Sequence, residues 1–322
     1  NQGTPVAMVL TIKLANYPTA IAGLGLAIAS LGLVWSQHVT HSTGLQYLGA
    51  LIAAALVLPL LLKFSYRPSL LVKELRHPVA GAMLPVITMS IMVMAKSLAV
   101  VQLELAVALS LGAFSLQLLL LLSFAYYRSQ YLVLEHFIPC WFIPPIGLAL
   151  WLVVSPIALS TPLIKIILYG SLLAYALLLP LVIYRLKAAP LALEQRPFLA
   201  ILATPASLIL LAYLVTTPKL NPAFVYSLAA LAMLMTLSVY LLLILLLLKL
   251  PFSPTYAAFT FPLVVSSSAL FQLGLFMQNR IEAGSLGQSL IESLAYLELA
   301  IASLMVVYVA VRYLRHYWPQ RH

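Results

Sequence analysis

Pro254-Thr-Tyr-Ala-Ala-Phe-Thr-Phe-Pro262-Leu-Val-Val-Ser-Ser-Ser-Ala-Leu-Phe-Gln-Leu-Gly-Leu-Phe276 is apolar over the length of a membrane span and holds two prolines, the second eight residues after the first. A proline inside a helix removes one backbone hydrogen bond and clashes with the preceding turn. A span with a deep proline is therefore kinked. Backbone freed at a kink is tolerated only against protein or a water-filled cavity, never against lipid. The stretch reads as a membrane helix that belongs inside a bundle.

The pattern recurs along the chain. Apolar runs fall at 17–35, 45–64, 79–96, 98–123, 137–155, 163–184, 198–215, 224–249, 255–276 and 288–311, which gives ten spans. Only Lys96, Ser97, Gln102 and Glu104 separate the third from the fourth, so eight or nine spans is the alternative count. The third span enters at His77-Pro78 and carries Pro85; the fifth has Pro139 and then Pro144-Pro145; the seventh has Pro197 and Pro205; the ninth has Pro254 and Pro262. The fourth, eighth and tenth have no proline, and Pro59 and Pro180 lie near one end of the second and sixth. The first span has Pro18 at its entry and then Gly23, Gly25 and Gly32, and glycine can kink a helix or admit a close neighbour. A single membrane proline ordinarily only shapes packing. The ordered set predicts an all-α integral membrane protein of five helical hairpins, with five kinked inner helices around a central pore and five smooth outer helices.

Composition agrees. The 322 residues are 64% hydrophobic and 7% charged, against about 25% charged in a soluble domain. At about 20 residues per crossing, ten spans at 17–311 leave a short N-terminal segment, 1–16, partly read as a cloning remnant, and a basic tail, 312–322. No soluble catalytic or ligand-binding domain is expected.

The net charge of +10 would fit a nucleic-acid partner, but its distribution makes it a topology signal and no nucleic acid is expected. Thirteen Lys and Arg residues fall on the side shared by both termini: Lys13, Lys63, Arg67, Lys73, Arg76, Arg128, Arg185, Lys187, Arg196, Lys249, Arg312, Arg315 and Arg321. Four fall on the other: Lys96, Lys165, Lys219 and Arg280. Lys and Arg resist translocation, so both termini are placed in the cytoplasm of a cell that carries the protein in its inner or plasma membrane. Cys140 has no second cysteine to pair with and reads as a small packed side chain.

The spans offer almost no ionic chemistry. Glu298 is the one carboxylate well inside a span. On an outer helix it reads first as a structural pair or subunit contact, with proton coupling as the alternative. Lys96 and Lys165 sit where they can snorkel to the interface. No nucleophile with a base, paired carboxylates, metal set or nucleotide motif appears, so neither an enzyme nor a cofactor is expected. His77 reads as a helix N-terminal residue. The inner spans do carry hydroxyls: Thr19, Thr88, Ser90, Thr204, Ser207, Thr260, Ser266, Ser267 and Ser268. Together they would suit a weakly polar path for anions, although any one of them can instead bond its own helix. A fixed cation in the path would hold an anion too tightly for fast passage.

At Tyr256-Ala-Ala-Phe-Thr-Phe-Pro262 the sequence resembles the tellurite-resistance/dicarboxylate transporter family, which includes bacterial TehA proteins and the plant guard-cell slow anion channels. Asn16-Tyr-Pro-Thr-Ala-Ile-Ala-Gly-Leu-Gly-Leu26 is similar to that family's first helix, and Lys73-Glu-Leu-Arg-His-Pro78 to the basic segment before its third. Leu193-Glu-Gln-Arg-Pro197 with Thr204-Pro205 resembles the entry and kink of its seventh. The resemblance implies a homotrimer with a pore in each protomer, permeated by small inorganic anions, and a phenylalanine on the ninth helix that plugs the pore as a gate. The matching residue is Phe261, with Phe259 the weaker choice because it faces another side of the helix. Thr19, where relatives often have glycine, and the doubled Pro144-Pro145 depart from the family pattern. The expected lining and kink residues are Thr19, Gly23, Pro85, Thr88, Pro144, Pro145, Thr204, Pro205, Thr260 and Pro262. The reading is a gated passive anion channel. Its alternative is a secondary transporter of dicarboxylates or oxyanions, proton-coupled through Glu298.

Overall fold

The computed structural model describes residues 14–280 and 286–317. Lys13, Glu282, Arg321, most of segment 1–16 and the end of the 312–322 tail lie outside the described residues. The described residues form helices joined by short connections.

Among the described residues, nine segments are long and apolar enough to cross a membrane: α1 (Ile21–Thr40), α2 (Gly44–Tyr66), α3 (Ala80–Leu98), α4 (Leu103–Ser129), α6 (Thr161–Ala188), α7 (Leu193–Thr216), α8 (Pro222–Leu245), α9 (Pro254–Gln278) and α10 (Leu286–Tyr317). A shorter apolar segment, α5 (Pro139–Val154), stands where the fifth span was expected. The connection at Leu98–Gln102 separates α3 from α4, so the doubtful boundary is a real turn. A short helix, Pro68–Arg76, lies between α2 and α3.

The deeper prolines do not sit in helix interiors. Pro85 is the first residue of the helix Pro85–Leu98, which follows the single turn Ala80–Met83. Pro144 and Pro145 lie in the first turn of Ile143–Val154, after the 3-10 turn Pro139–Phe142. Pro205 and Pro262 are each the second residue of an α-helix that follows a 3-10 segment, Leu193–Ala203 and Pro254–Phe259 respectively. A first-turn proline costs nothing, because its missing N–H would have no partner there and its fixed φ suits a helix start. What the sequence presented as a kink is thus a restart, a tighter helix ending and an α-helix beginning. α1 has no such restart and runs from an α-helix into a π-helical turn, Ser36–Thr40.

Burial alternates along the chain. In α1, α3, α7 and α9 between 67% and 83% of the most apolar 18-residue stretch is buried, against 28% to 33% in the even helices. α5 is buried over most of its length. α1 packs on α3, α3 on α5, α5 on α7, α7 on α9, and α9 back on α1. Each even helix packs on the odd segment before it and the odd segment after it, and α10 packs on α9 and α1. The even helices bury a single stripe: in α4 it is Ala106, Ser110, Ala113, Gln117, Leu120, Phe124 and Arg128. Their other faces expose Leu51, Leu119, Leu173, Leu234 and Leu304, a composition suited to lipid.

Small residues set the closest crossing. A Cβ on Gly32 of α1 would lie 2.4 Å from the Leu45 carbonyl oxygen, and one on Gly49 of α2 would lie 2.7 Å from that of Ile28. Packing of this kind, rather than hydrophobicity, holds helices together in lipid. Cys140 is buried and unpaired.

Candidate functional site

The five odd segments enclose two cavities stacked along the bundle. The first, of about 40 Å³, is lined by Gly23 and Leu26 of α1, Met83, Val86 and Met89 of α3, Phe142, Ile143 and Ile146 of α5, Ile201, Thr204 and Pro205 of α7, and Ala257, Ala258, Phe261 and Pro262 of α9. The second, of about 210 Å³, is lined by later residues of the same five segments. It lies nearer the end away from Lys63, Lys73 and Arg76. Phe261 is the one residue lining both. It opens the helix Phe261–Gln278, one residue after the 3-10 segment, and is 7% exposed. Phe259 lines neither; it is fully buried, with its ring 4.8 Å from that of Tyr256.

The first cavity is apolar apart from Thr204. That residue's hydroxyl is buried and has no hydrogen-bond partner among the described residues. The second is mixed: Ser30, Gln37 and His38 come from α1, Lys96 from α3, and Ser268 and Gln272 from α9, among aliphatic residues of α5 and α7. His38 stacks on Phe271 with the ring centroids 4.2 Å apart.

Of the residues expected to line a path, Gly23, Thr204, Pro205, Phe261 and Pro262 line the first cavity. Ser268 lines the second. Most of the others are held elsewhere by their contacts. Thr88 donates to the Oε1 of Gln117 on α4, whose Nε2 donates to the Pro144 carbonyl at 3.0 Å. Ser171 of α6 donates to the Pro145 carbonyl at 3.2 Å. Outer helices thus bond the backbone of the α5 restart. Pro85 is buried at the start of its helix and lines neither cavity. Thr260 donates to the Ala257 carbonyl at 2.6 Å, Ser90 to Val86 at 2.8 Å and Ser267 to Val264 at 2.9 Å, each satisfying itself within its own segment.

Thr19 belongs to the basic end. Its hydroxyl donates to Glu74 Oε2 at 2.7 Å, and the Lys63 ammonium, 5% exposed, pairs with Glu74 Oε1 at 2.7 Å and donates to the Tyr17 carbonyl at 3.1 Å. His77 Nδ1 accepts from the backbone N–H groups of Val79 and Ala80, both at 3.2 Å, as a helix cap. Burial, with Arg128 and His136 nearby, holds its pKa below the usual histidine value.

Glu298 lines neither cavity. Its carboxylate accepts from Ser266 on α9, and Ser266 lies 3.1 Å from the Thr236 hydroxyl of α8, so the group ties three helices on the outer side of α9.

Sequence reasoning named Ser268 and missed the other polar residues of the second cavity. Lys96 was placed as a snorkelling residue, yet Met83, Val86, Met89, Val93 and Lys96 recur every three or four residues. That is one face of a helix, and it is the face that lines both cavities.

A family model, SLAC1, described as a voltage-dependent anion channel, matches residues 16–314, from before α1 to near the end of α10. No curated protein matches the chain.

Proposed function

From the premise that the chain belongs to the SLAC1 family of voltage-dependent anion channels, a branch of the tellurite-resistance/dicarboxylate transporters, we propose that it is a gated, passive pore for small inorganic anions. Phe261 is its gate. The observation that carries this reading is that Phe261 alone lines both axial cavities. A ring across a narrow apolar passage blocks ions by exclusion and by dewetting. Ring movement would join the two cavities into one path along the five odd segments.

In this reading α5 spans the membrane with the other nine segments, and the ten form five hairpins whose odd members surround the pore. The packing of α9 back on α1 supports that arrangement. The basic end faces the cytoplasm, with both termini, in the inner or plasma membrane. The chain assembles as a homotrimer with one pore per protomer. A passive pore is preferred to a proton-coupled carrier because Glu298 hydrogen-bonds Ser266 and lies outside both cavities.

The test is reconstitution into liposomes with chloride or nitrate gradients. Flux that needs no pH gradient and rises several-fold or more in Phe261→Ala is expected. Unchanged flux in a correctly assembled Phe261→Ala would remove the gate. Transport that requires a pH gradient and fails in Glu298→Gln would replace the channel with a carrier.

A further inference from the structure

We propose that the larger cavity, beyond Phe261 from the basic end, is a binding site for one small inorganic anion, held by the Lys96 ammonium. The proposal rests on the anion-pore reading and adds a resting place for the permeant.

Three observations carry it. Lys96 lines this cavity, is half-buried and has no carboxylate or other hydrogen-bond partner among the described residues. The one ion pair among them, Lys63–Glu74, lies at the opposite end of the bundle. A half-buried cation without a counter-charge is unfavourable, and here a counter-ion can come from solution. Among the described residues no carboxylate lines the cavity, whereas Gln37, Gln272 and Ser268 place further polar groups on it. Ser30, also on the wall, is 8% exposed, and its hydroxyl has no partner among the described residues.

The fold supplies a reason for a cation at this level. The odd segments run in the same direction, and the α-helices of α1, α3, α5 and α7 end near this level, so the cavity faces the negative ends of four dipoles. That field repels anions. Lys96 stands in the last turn of the helix Pro85–Leu98 and opposes it. Lys96 lines the wider cavity and not the small one on the other side of Phe261. There it can concentrate anions without immobilising them at the narrowest point.

The simpler role for Lys96 is to neutralise the end of its own helix without holding an ion, and two readouts separate the two. The first is the chloride concentration that half-saturates flux in liposomes. It is expected to rise about 3- to 10-fold in Lys96→Gln, the scale of losing one charge about 4 Å away in a water-filled cavity, and to stay within about twofold in Lys96→Arg. The second needs no conduction: nitrate added to detergent-purified protein in gluconate buffer should raise the melting temperature of wild type and Lys96→Arg more than that of Lys96→Gln. Equal half-saturation and equal nitrate shifts in wild type and Lys96→Gln would overturn the site. A wild type that passes no anion would overturn the pore reading instead, and the melting shifts would still decide the site.

Discussion

Gln117 of α4 donates its Nε2 to the Pro144 carbonyl of α5 at 3.0 Å, and Gly147 makes room for it, since a Cβ at that position would lie 2.1 Å from the same nitrogen. With its Oε1 taking the Thr88 hydroxyl, one amide from an outer helix joins two inner segments. Polar links between membrane helices are worth about 0.6 kcal/mol on average and up to about 1.7. Gln117 has three partners' geometry depending on it, so Gln117→Leu should cost about 1–2 kcal/mol. Gly147→Ala should also destabilise, and by less in combination with a second variant, Gln117→Ala, which vacates the space. A double-mutant cycle of unfolding in detergent checks this; additive losses would mean that the two side chains do not share the space.

The Lys63–Glu74 pair sets a second expectation. Lys63 is 5% exposed and Glu74 19%, so Glu74→Gln leaves a buried ammonium with only neutral partners. Removing one member of a buried pair costs about 3–5 kcal/mol, less where one side is partly solvated, and apolar replacement of both can be neutral. Glu74→Gln should therefore lose about 2–3 kcal/mol, and Lys63→Met with Glu74→Leu should regain most of it. Thr19→Val should lower the melting temperature slightly and leave anion flux unchanged, because Thr19 lines neither cavity. Altered flux in a stable Thr19→Val would return that residue to the path.

The division into buried odd and exposed even segments was legible because proline is scarce where lipid must be faced and common where protein covers the backbone. Pro85, Pro205 and Pro262 were read as kinks, each at the loss of a hydrogen bond, whereas a proline that begins a helix loses none; the spacing of the prolines does not distinguish the two. Phe261 was legible through resemblance and its place before Pro262. Hydroxyl direction was not, because Ser90, Thr260 and Ser267 can satisfy themselves on their own backbone as readily as face a cavity. The polar residues of the outer helices were legible and went unused. Ser110, Gln117 and Arg128 fall on one stripe of α4, and polar groups on a lipid-facing helix must turn inward.

The cap at His77 gives a pH dependence. Nδ1 must be unprotonated to accept from Val79 and Ala80, and burial, with Arg128 and His136, already lowers the pKa below its ordinary value near 6.5. The unfolded segment takes up a proton at higher pH than the folded one. The stability this cap contributes is thus full above about pH 6.5 and falls as pH drops through that value toward the lowered folded pKa. Melting in detergent between pH 8 and 5 should show the fall. In His77→Asn, which keeps an acceptor at the cap without a titrating group, that part of the slope should disappear; an unchanged slope would assign it to other groups.

Thr204 places the last expectation inside the path. Its hydroxyl is the polar group of the first cavity, buried beside Phe261 and without a partner. An unpaired buried hydroxyl costs about 1–3 kcal/mol, so Thr204→Val, which keeps the shape, should leave stability unchanged or raise it by about 1 kcal/mol. If anions pass this point, the same change removes the one side-chain group there that can donate to them, and desolvation then goes uncompensated. Flux in Phe261→Ala should accordingly fall several-fold when Thr204→Val is added, with the protein at least as stable. Higher stability with unchanged flux would mean that anions cross this level on backbone groups alone, and that Thr204 is merely an unsatisfied hydroxyl.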